Sequence, residues 1–237
     1  MEHNAASLKK TAKLAGLLYL FLVITGVYSI FIVSTQVIVL GDTVATAKNI
    51  VAKEFIFRTG IINDLISNTI FVFLALTLYR LFKQVNEHQA KLMVVLVVVQ
   101  IPVVFFMEAF NITSLMLFKD EILKTLQLSE RQDLAMLFLR INDYGTLTLQ
   151  MFWGLWLIPF GLLVYKSVFV PRIFGVLLII AGIAYIHASF ASILFPGYYN
   201  TFVNQPTLLL VAIGEISITL WLLIKGIRND GLKIEKQ

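Results

Sequence analysis

Ionisable side chains stand inside segments that are otherwise apolar, and they are the strongest chemical signal in the sequence. The stretch FLRINDYG at 138–145 places an arginine and an aspartate among leucine, methionine and phenylalanine. A charged group at the centre of a bilayer costs about 2.5–3.5 kcal/mol, so such groups pair, face water or bind an ion. Arg140 and Asp143 therefore predict a polar site within a membrane.

Other apolar segments carry polar groups at similar depths. Asn63 and Asp64 lie one helical turn before Ser67 and Asn68, so these pairs share a helix face. We predict that five helices bring their polar groups together as a pocket in the outer half of the bundle. The candidate binding residues are Arg58, Asn63, Asp64, Glu108, Asn111, Arg140, Asp143, Gln150, His187 and Glu215.

The charges in this set do not balance, because it holds four carboxylates and two arginines. Left apart in lipid, the carboxylates would cost roughly 10 kcal/mol, which is comparable to the stability of a whole domain. We expect them to converge, with the excess negative charge neutralised by protons or by a bound cation. The acids would then bind a cation or relay protons, and the arginines would neutralise acidic neighbours or an anionic headgroup.

The same residues also permit a purely structural interpretation. Arg58 paired with Asp64, or Arg140 paired with Asp143 or Glu215, would lock the bundle without binding a ligand. His187 taken alone is more typical of a hydrogen-bonded core histidine than of a ligand. Intramembrane ionisable groups are functional by default, so the binding interpretation is preferred.

Composition excludes several chemistries. The chain has no cysteine, which excludes disulfides, iron–sulfur clusters and thiol catalysis. Only one histidine lies in an apolar segment, which is too few for a His-rich zinc site. The sequence has no G-x-S-x-G, Walker or Rossmann motif and no basic patch with interleaved aromatics. We therefore predict no cofactor, no metal centre and no nucleic-acid partner.

The elements that position these residues are predicted to be transmembrane helices. Hydrophobic residues make up 59% of the chain and charged residues 14%, against about 25% charged in soluble domains. Backbone groups in lipid must bond internally, so apolar segments of about 20 residues are helices. We predict one all-α domain over 1–237, an integral membrane bundle of six transmembrane helices. The spans are approximately 14–40, 55–78, 92–118, 143–165, 173–195 and 207–223.

The connections set the orientation of the bundle. Lys and Arg are in excess on the side of the N-terminus, which places both termini in the cytoplasm. The third connection, KDEILKTLQL at 119–128, is amphipathic and predicts an interfacial helix. Ser129 and Gln132 form a capping-box signature that predicts a helix start at Glu130. That helix would either bend near 142–145 or project outside, and the bend is preferred because Gly145 weakens the helix.

Several stretches of the chain resemble a bacterial multispanning family, domain of unknown function 4386. They are LKKTAKLAGLLYLFLVITGVYS, FRTGIINDLIS, NDYGTLTLQMFWGLWLIPFGLLVYKS, PRIFGVLLIIAGIAYI and GEISITLWLLIKG. The resemblance covers nearly the whole chain and implies a bacterial cytoplasmic membrane location, but no activity. The positions that match the family pattern are Arg58, Asp64, Tyr144, Gly145 and Glu215. The family often has a histidine near Asn142–Asp143 and an aspartate near His187. In this sequence the two residue types have changed places, which argues against a fixed catalytic histidine.

Three classes of function follow. The leading hypothesis is a multi-pass membrane protein whose polar pocket binds or transports a small solute or cation. Its expected partners are the lipid bilayer and a solute, a cation or a lipid headgroup, and the oligomeric state is left open. The second class is an intramembrane lipid-modifying enzyme with a carboxylate as general base. The third is a structural or sensory membrane subunit; a role other than catalysis is favoured.

Overall fold

The computed structural model describes residues 2–39, 41–195, 197–198 and 205–228, and every regular element in these ranges is helical. The first helix, α1, is followed without a break by a π-helical stretch at Ser29–Ser34 and by the short α2. The helices are α1 (Glu2–Tyr28), α2 (Thr35–Val37), α3 (Thr43–Ala52), α4 (Glu54–Phe82), α5 (Glu87–Val98), α6 (Ile101–Phe118), α7 (Leu128–Lys166), α8 (Arg172–Leu194) and α9 (Gln205–Ile224). The all-α prediction is confirmed.

Five helical segments are long and apolar enough to cross a membrane. They are Ala6–Val37, Glu54–Phe82, Glu87–Phe118, Leu128–Lys166 and Arg172–Leu194. These segments overlap the first five predicted spans. The sixth predicted span coincides with α9, whose described apolar part, Leu209–Ile224, is shorter than the other five. The chain is therefore a multi-pass membrane protein, because helices of this length and composition satisfy their backbone groups internally in lipid.

The predicted interfacial helix in the third connection is wrong. Residues 119–127 form turns, because α6 ends in a Schellman motif. Asp120 adopts a left-handed φ of 60°, and the N–H of Glu121 donates to Met116 O at 3.0 Å. Leu123 also has a positive φ, of 50°, which a helix does not allow. The amphipathic pattern of the segment thus belongs to a turn.

The fourth span is one continuous helix, α7, of 39 residues. Its start at Leu128 lies two residues before the predicted one. The carboxylate of Glu130 accepts a hydrogen bond from the backbone N–H of Gln127 at 2.8 Å. Glu130 therefore has the role in the N-terminal cap that the predicted capping box gave to Gln132. The third span is interrupted between Val98 and Ile101, just before Pro102, because proline fits only the first turn of a helix.

The contacts between residues divide the chain into two compact units. The first unit consists of residues 1–22, 70–100 and 147–237, and the second of residues 23–69 and 101–146. In the first unit, glycines bring helices α7 and α8 into close contact: an added Cβ at Gly182 would lie 2.7 Å from Gly154 O, and one at Gly161 would lie 2.7 Å from Gly175 O. Small residues of this kind let membrane helices approach closely.

The second unit has its own apolar core, to which α3 contributes. Thr46, Ala47 and Ile50 of α3 are buried, and Ile50 packs with Leu115 and Phe57 of the same cluster. The sequence analysis did not identify α3. Its start is marked by Asp42, whose carboxylate accepts the N–H of Ala45 at 2.8 Å, which is the usual role of an N-cap aspartate.

Candidate functional site

Asp64 is the centre of a polar cluster in the second unit. It lies half-buried on α4, and its Oδ1 accepts the hydroxyl of Ser29 at 2.9 Å and the amide of Asn63 at 3.3 Å. The Asn63 amide also donates to Thr25 O at 3.1 Å and to Ser29 Oγ at 2.8 Å. Asn68 donates to the backbone O of Asp64 at 2.9 Å. The carboxylate is therefore held by neutral donors.

A π-helical stretch positions one of these donors. Ser29 is the first residue of Ser29–Ser34, where the backbone departs from regular α-helical hydrogen bonding. Such π segments within α-helices are frequent at functional sites. Val33, one turn later, lies against Gly60 so closely that an added Cβ would be 2.8 Å from Val33 Cγ1. The small residue on α4 thus lets Ser29 approach Asp64.

Glu108 is the second carboxylate of this unit. Its side chain is on α6, only 5% of the residue is exposed, and its Oε2 accepts the amide of Asn111 at 2.9 Å. It interacts electrostatically with Asp64. Two acidic groups that repel each other in a water-poor environment favour uptake of a proton or a cation.

No arginine or lysine among the described residues forms an ion pair with Asp64 or Glu108. The structural alternative in which Arg58 pairs with Asp64 is not what forms, because Arg58 Nε donates to Glu54 at 2.7 Å, one turn away on the same helix. Lys119 also contacts Glu54, at 3.1 Å. Hydrogen bonds to Glu121 and to Glu54 raise the pKa of Lys119 above its usual value. These cations therefore neutralise Glu54, at the start of α4, and Glu121, in the loop after α6.

Arg140 and Asp143 lie on the exposed side of α7 and interact only electrostatically. They form no ion pair with each other or with another described residue of the second unit, so the structural alternative of an Arg140–Asp143 pair is not supported. The neighbouring Asn142 contacts the rest of the second unit instead, since its amide donates to Met107 O at 3.0 Å. Gly145 allows the approach of Met107, whose Sδ would lie 2.8 Å from an added Cβ.

In the first unit, Glu215 of α9 forms a separate polar site. Tyr19 Oη donates to Glu215 Oε2 at 2.8 Å, and Tyr185 forms a second hydrogen bond to the same carboxylate. The ring of Tyr19 lies 6.0 Å from Trp156, and the ring of Tyr185 lies 5.8 Å from Trp153. Aromatic side chains thus surround Glu215, and both of its donors are phenols.

The remaining predicted residues, Gln150 and His187, also belong to the first unit. Gln150 is 6% exposed, and its Oε1 accepts no hydrogen bond from the part of the chain that the structure describes. His187 is exposed, and its ring lies edge-on to Tyr198 at 5.8 Å. The set of ten residues thus divides between the two units. In the second unit, hydrogen bonds join Asn63 to the carboxylate of Asp64 and Asn111 to the carboxylate of Glu108, whereas Arg58 bonds to Glu54, which is outside the predicted set.

Sequence reasoning missed the donors Ser29, Tyr19 and Tyr185. Thr25 and Ser29 are spaced by four residues, the interval at which two side chains share a helix face, and this was the available signal. Nothing comparable marks Tyr19 or Tyr185, because a tyrosine in an apolar helix is as consistent with a core or a membrane boundary as with a carboxylate partner.

The chemistry of the second unit's cluster is that of oxygen and amide groups. No group of three or more His, Cys, Asp or Glu side chains that could hold a metal ion occurs within the described ranges. The cluster instead offers two carboxylates with amide and hydroxyl neighbours. Oxygen donors of this kind suit hard cations and protons.

Comparisons with known proteins bear on the fold family. Neither curated proteins nor solved structures match the chain. The sequence profile of the family described as Domain of unknown function (DUF4386) matches residues 14–226, and the chain belongs to that family.

Proposed function

We propose that the protein binds a small monovalent cation, a proton or an alkali metal ion, at the cluster around Asp64 and Glu108 and carries it across the membrane. The observation that supports the proposal is that the second unit holds two carboxylates, Asp64 and Glu108, neither of which forms an ion pair with an arginine or lysine among the described residues. In a hydrocarbon environment such a pair is stable only when a proton or another cation supplies the missing positive charge.

The neighbours of the two acids suit this role. Ser29, Asn63 and Asn111 are neutral, and each has an oxygen that can turn towards a cation once its donor group is released from the carboxylate. Their hydrogen bonds of 2.8–3.3 Å hold the side chains of the cluster in place. A site that exchanges hydrogen bonds for cation contacts binds reversibly, and reversible binding is what a carrier requires.

The proposal includes a topology of six spans with both termini in the cytoplasm of a bacterial cell. Lys and Arg in the connections on the side of the N-terminus support this orientation. The 20 residues of α9 support a sixth span, since about 20 apolar residues are enough to cross the hydrocarbon core.

Cation flux into proteoliposomes tests the proposed function. Full-length protein is reconstituted, a sodium, potassium or proton gradient is applied, and uptake is followed with ion-sensitive dyes. We expect flux from the native chain, and at least a tenfold loss in Asp64→Asn and in Glu108→Gln, because each neutral side chain removes one charge that the cation needs.

Asp133→Asn is the matched control. Asp133 is an exposed carboxylate of the same unit, with no partner among the described residues, so this variant should retain native flux. If the two cluster variants fold and still transport every cation at the native rate, the proposal is wrong. If Asp133→Asn loses as much flux as they do, the effect is one of general surface charge and the site assignment fails.

A further inference from the structure

A cleft of about 150 Å³ lies in the first unit, near the end of α4 and the loop that joins α7 to α8. Cavities of about this volume hold a ligand the size of benzene, so a phosphate group fits. The polar lining includes Lys166 and Gln84, and the apolar lining includes Leu8, Leu81, Val85 and Phe169. The cleft therefore offers a cation and an amide beside an apolar wall.

The loop between α7 and α8 brings several elements of this unit to the cleft. The ring of Phe169 stacks on Phe82 of α4 at 5.4 Å, and its carbonyl accepts the backbone N–H of Arg228 at 2.8 Å. Gly226, two residues before Arg228, lies against α1, because a Cβ added to Gly226 would be 3.3 Å from Lys9 Cγ. The ends of α4, α7 and α9 and the first part of α1 thus meet near the cleft.

Positive charge is concentrated on the same segments. The Lys and Arg residues there are Lys9, Lys10, Lys13, Arg80, Lys83, Lys166, Arg172, Lys225 and Arg228. None of them forms an ion pair with an acidic residue that the structure describes; in this unit the one such pair joins Lys91 to Glu87. A surface with this excess of positive charge attracts anions, and basic sites at the ends of membrane helices are typical of headgroup binding.

Several donors in the cleft are available. The Lys166 ammonium is exposed, and so is the Gln84 side chain. The backbone N–H groups of Val168 and Phe169 make no hydrogen bond to another described residue. Ser167 does not contribute, because it is buried and its hydroxyl donates to Val164 O at 2.8 Å. The Lys166 ammonium, the NH2 of the Gln84 amide and the two backbone N–H groups are donors, and phosphate oxygens accept hydrogen bonds from donors of this kind.

We propose that this cleft binds the phosphate headgroup of an anionic phospholipid, with Lys166 as the charged contact and Gln84 as a hydrogen-bond donor. Leu8, Leu81, Val85 and Phe169 then contact the glycerol and the first part of an acyl chain. A lipid accounts for the apolar half of the lining, which a free phosphate ion leaves without a partner. The inference concerns the first unit and is independent of the cation site proposed at Asp64.

Lipid titration of the detergent-solubilised full-length protein tests this site. Thermal unfolding is measured with increasing phosphatidylglycerol or with phosphatidylcholine of the same acyl chains. We expect phosphatidylglycerol to raise the Tm in a saturable way, and phosphatidylcholine to raise it much less. Lys166→Gln should weaken the apparent affinity for phosphatidylglycerol about fivefold, as expected for the loss of one basic contact near a lipid phosphate.

Two further variants separate a site from diffuse attraction. Lys225→Gln removes the same charge from an exposed side chain of the same unit that does not line the cleft, so its affinity should fall much less than that of Lys166→Gln. Lys166→Arg keeps the charge and should restore binding even if Lys166→Gln folds poorly. The proposal is overturned if Lys225→Gln and Lys166→Gln lose affinity equally, or if the two lipids stabilise the protein equally. It is also overturned if inorganic phosphate alone reproduces the full effect, which would indicate a free-anion site.

Discussion

At the scale of single residues, neutral groups donate the hydrogen bonds to Asp64, Glu108 and Glu215 within the spans. Asp64 accepts hydrogen bonds from Ser29 and Asn63, and Glu215 accepts them from Tyr19 and Tyr185. A neutral donor satisfies a carboxylate oxygen without the cost of removing a second charge from water. The sequence identified these acids, and it offered arginines only as partners in the structural alternative.

The phenol of Tyr19 gives a direct test of this arrangement. Tyr19→Phe removes the 2.8 Å hydrogen bond to Glu215 while the buried ring remains. We expect a loss of about 0.5–1.5 kcal/mol in the free energy of unfolding, because the half-buried carboxylate of Glu215 loses one of its two phenol donors. The measurement is unfolding of the full-length protein in mixed micelles. Tyr144→Phe is the control, since Tyr144 is 67% exposed, and an equal loss in both variants would contradict the assignment.

At the scale of secondary structure, length and composition predicted the membrane-spanning helices. They did not predict the turns and short helices, whose form depends on local backbone geometry. The spans were recognisable because long apolar segments in lipid have to be helical. The turns at 119–127 were not recognisable from the sequence, because an amphipathic pattern does not reveal a residue in the left-handed conformation such as Asp120. Helix α3 was missed because its ten residues are too few for a span, and only Asp42 marks where it begins.

Helices α7 and α8 give a prediction at this scale. Gly154→Ala would place a Cβ against Gly182 O and 2.7 Å from Ile186 Cγ1. Overpacking of this kind costs typically 1–3 kcal/mol, so we expect a lower free energy of unfolding by about that amount. Gly26→Ala is the control, because nothing lies within 4 Å of its added Cβ. This control should be neutral or more stable by about 0.5–1 kcal/mol, and a Gly154→Ala variant as stable as the native chain would contradict the close contact.

At the scale of the whole molecule, the composition of the chain and the length of its apolar helices identify it as a membrane protein. A chain with 14% charged residues and several long apolar helices is a membrane protein whatever its individual contacts are. Its classification does not depend on any one helix boundary. The orientation of the helices in the membrane depends on how Lys and Arg are distributed among the connections, because connections rich in these residues stay in the cytoplasm.

Cysteine labelling tests the proposed topology, and the absence of native cysteine makes each variant a single site. Six spans with cytoplasmic termini predict that a membrane-impermeant maleimide labels Lys124→Cys and Asn200→Cys on bacteria whose inner membrane is intact. Lys10→Cys and Lys233→Cys should react only after that membrane is permeabilised. Labelling of Lys233→Cys but not of Lys10→Cys before permeabilisation would indicate an odd number of spans, and labelling of both would indicate the opposite orientation.

The amino-acid sequence alone determined the membrane environment, the helical class and the identity of the ionisable residues within the spans, because these follow from composition and from the length of apolar segments. Only the tertiary structure decided which residues contact them. The apolar helices are hydrophobic on nearly every side, so their sequence period does not reveal which face turns inward. The rotation of each helix depends on side-chain packing, such as Val33 against Gly60, and that rotation placed Ser29 beside Asp64 while leaving Arg140 and His187 exposed.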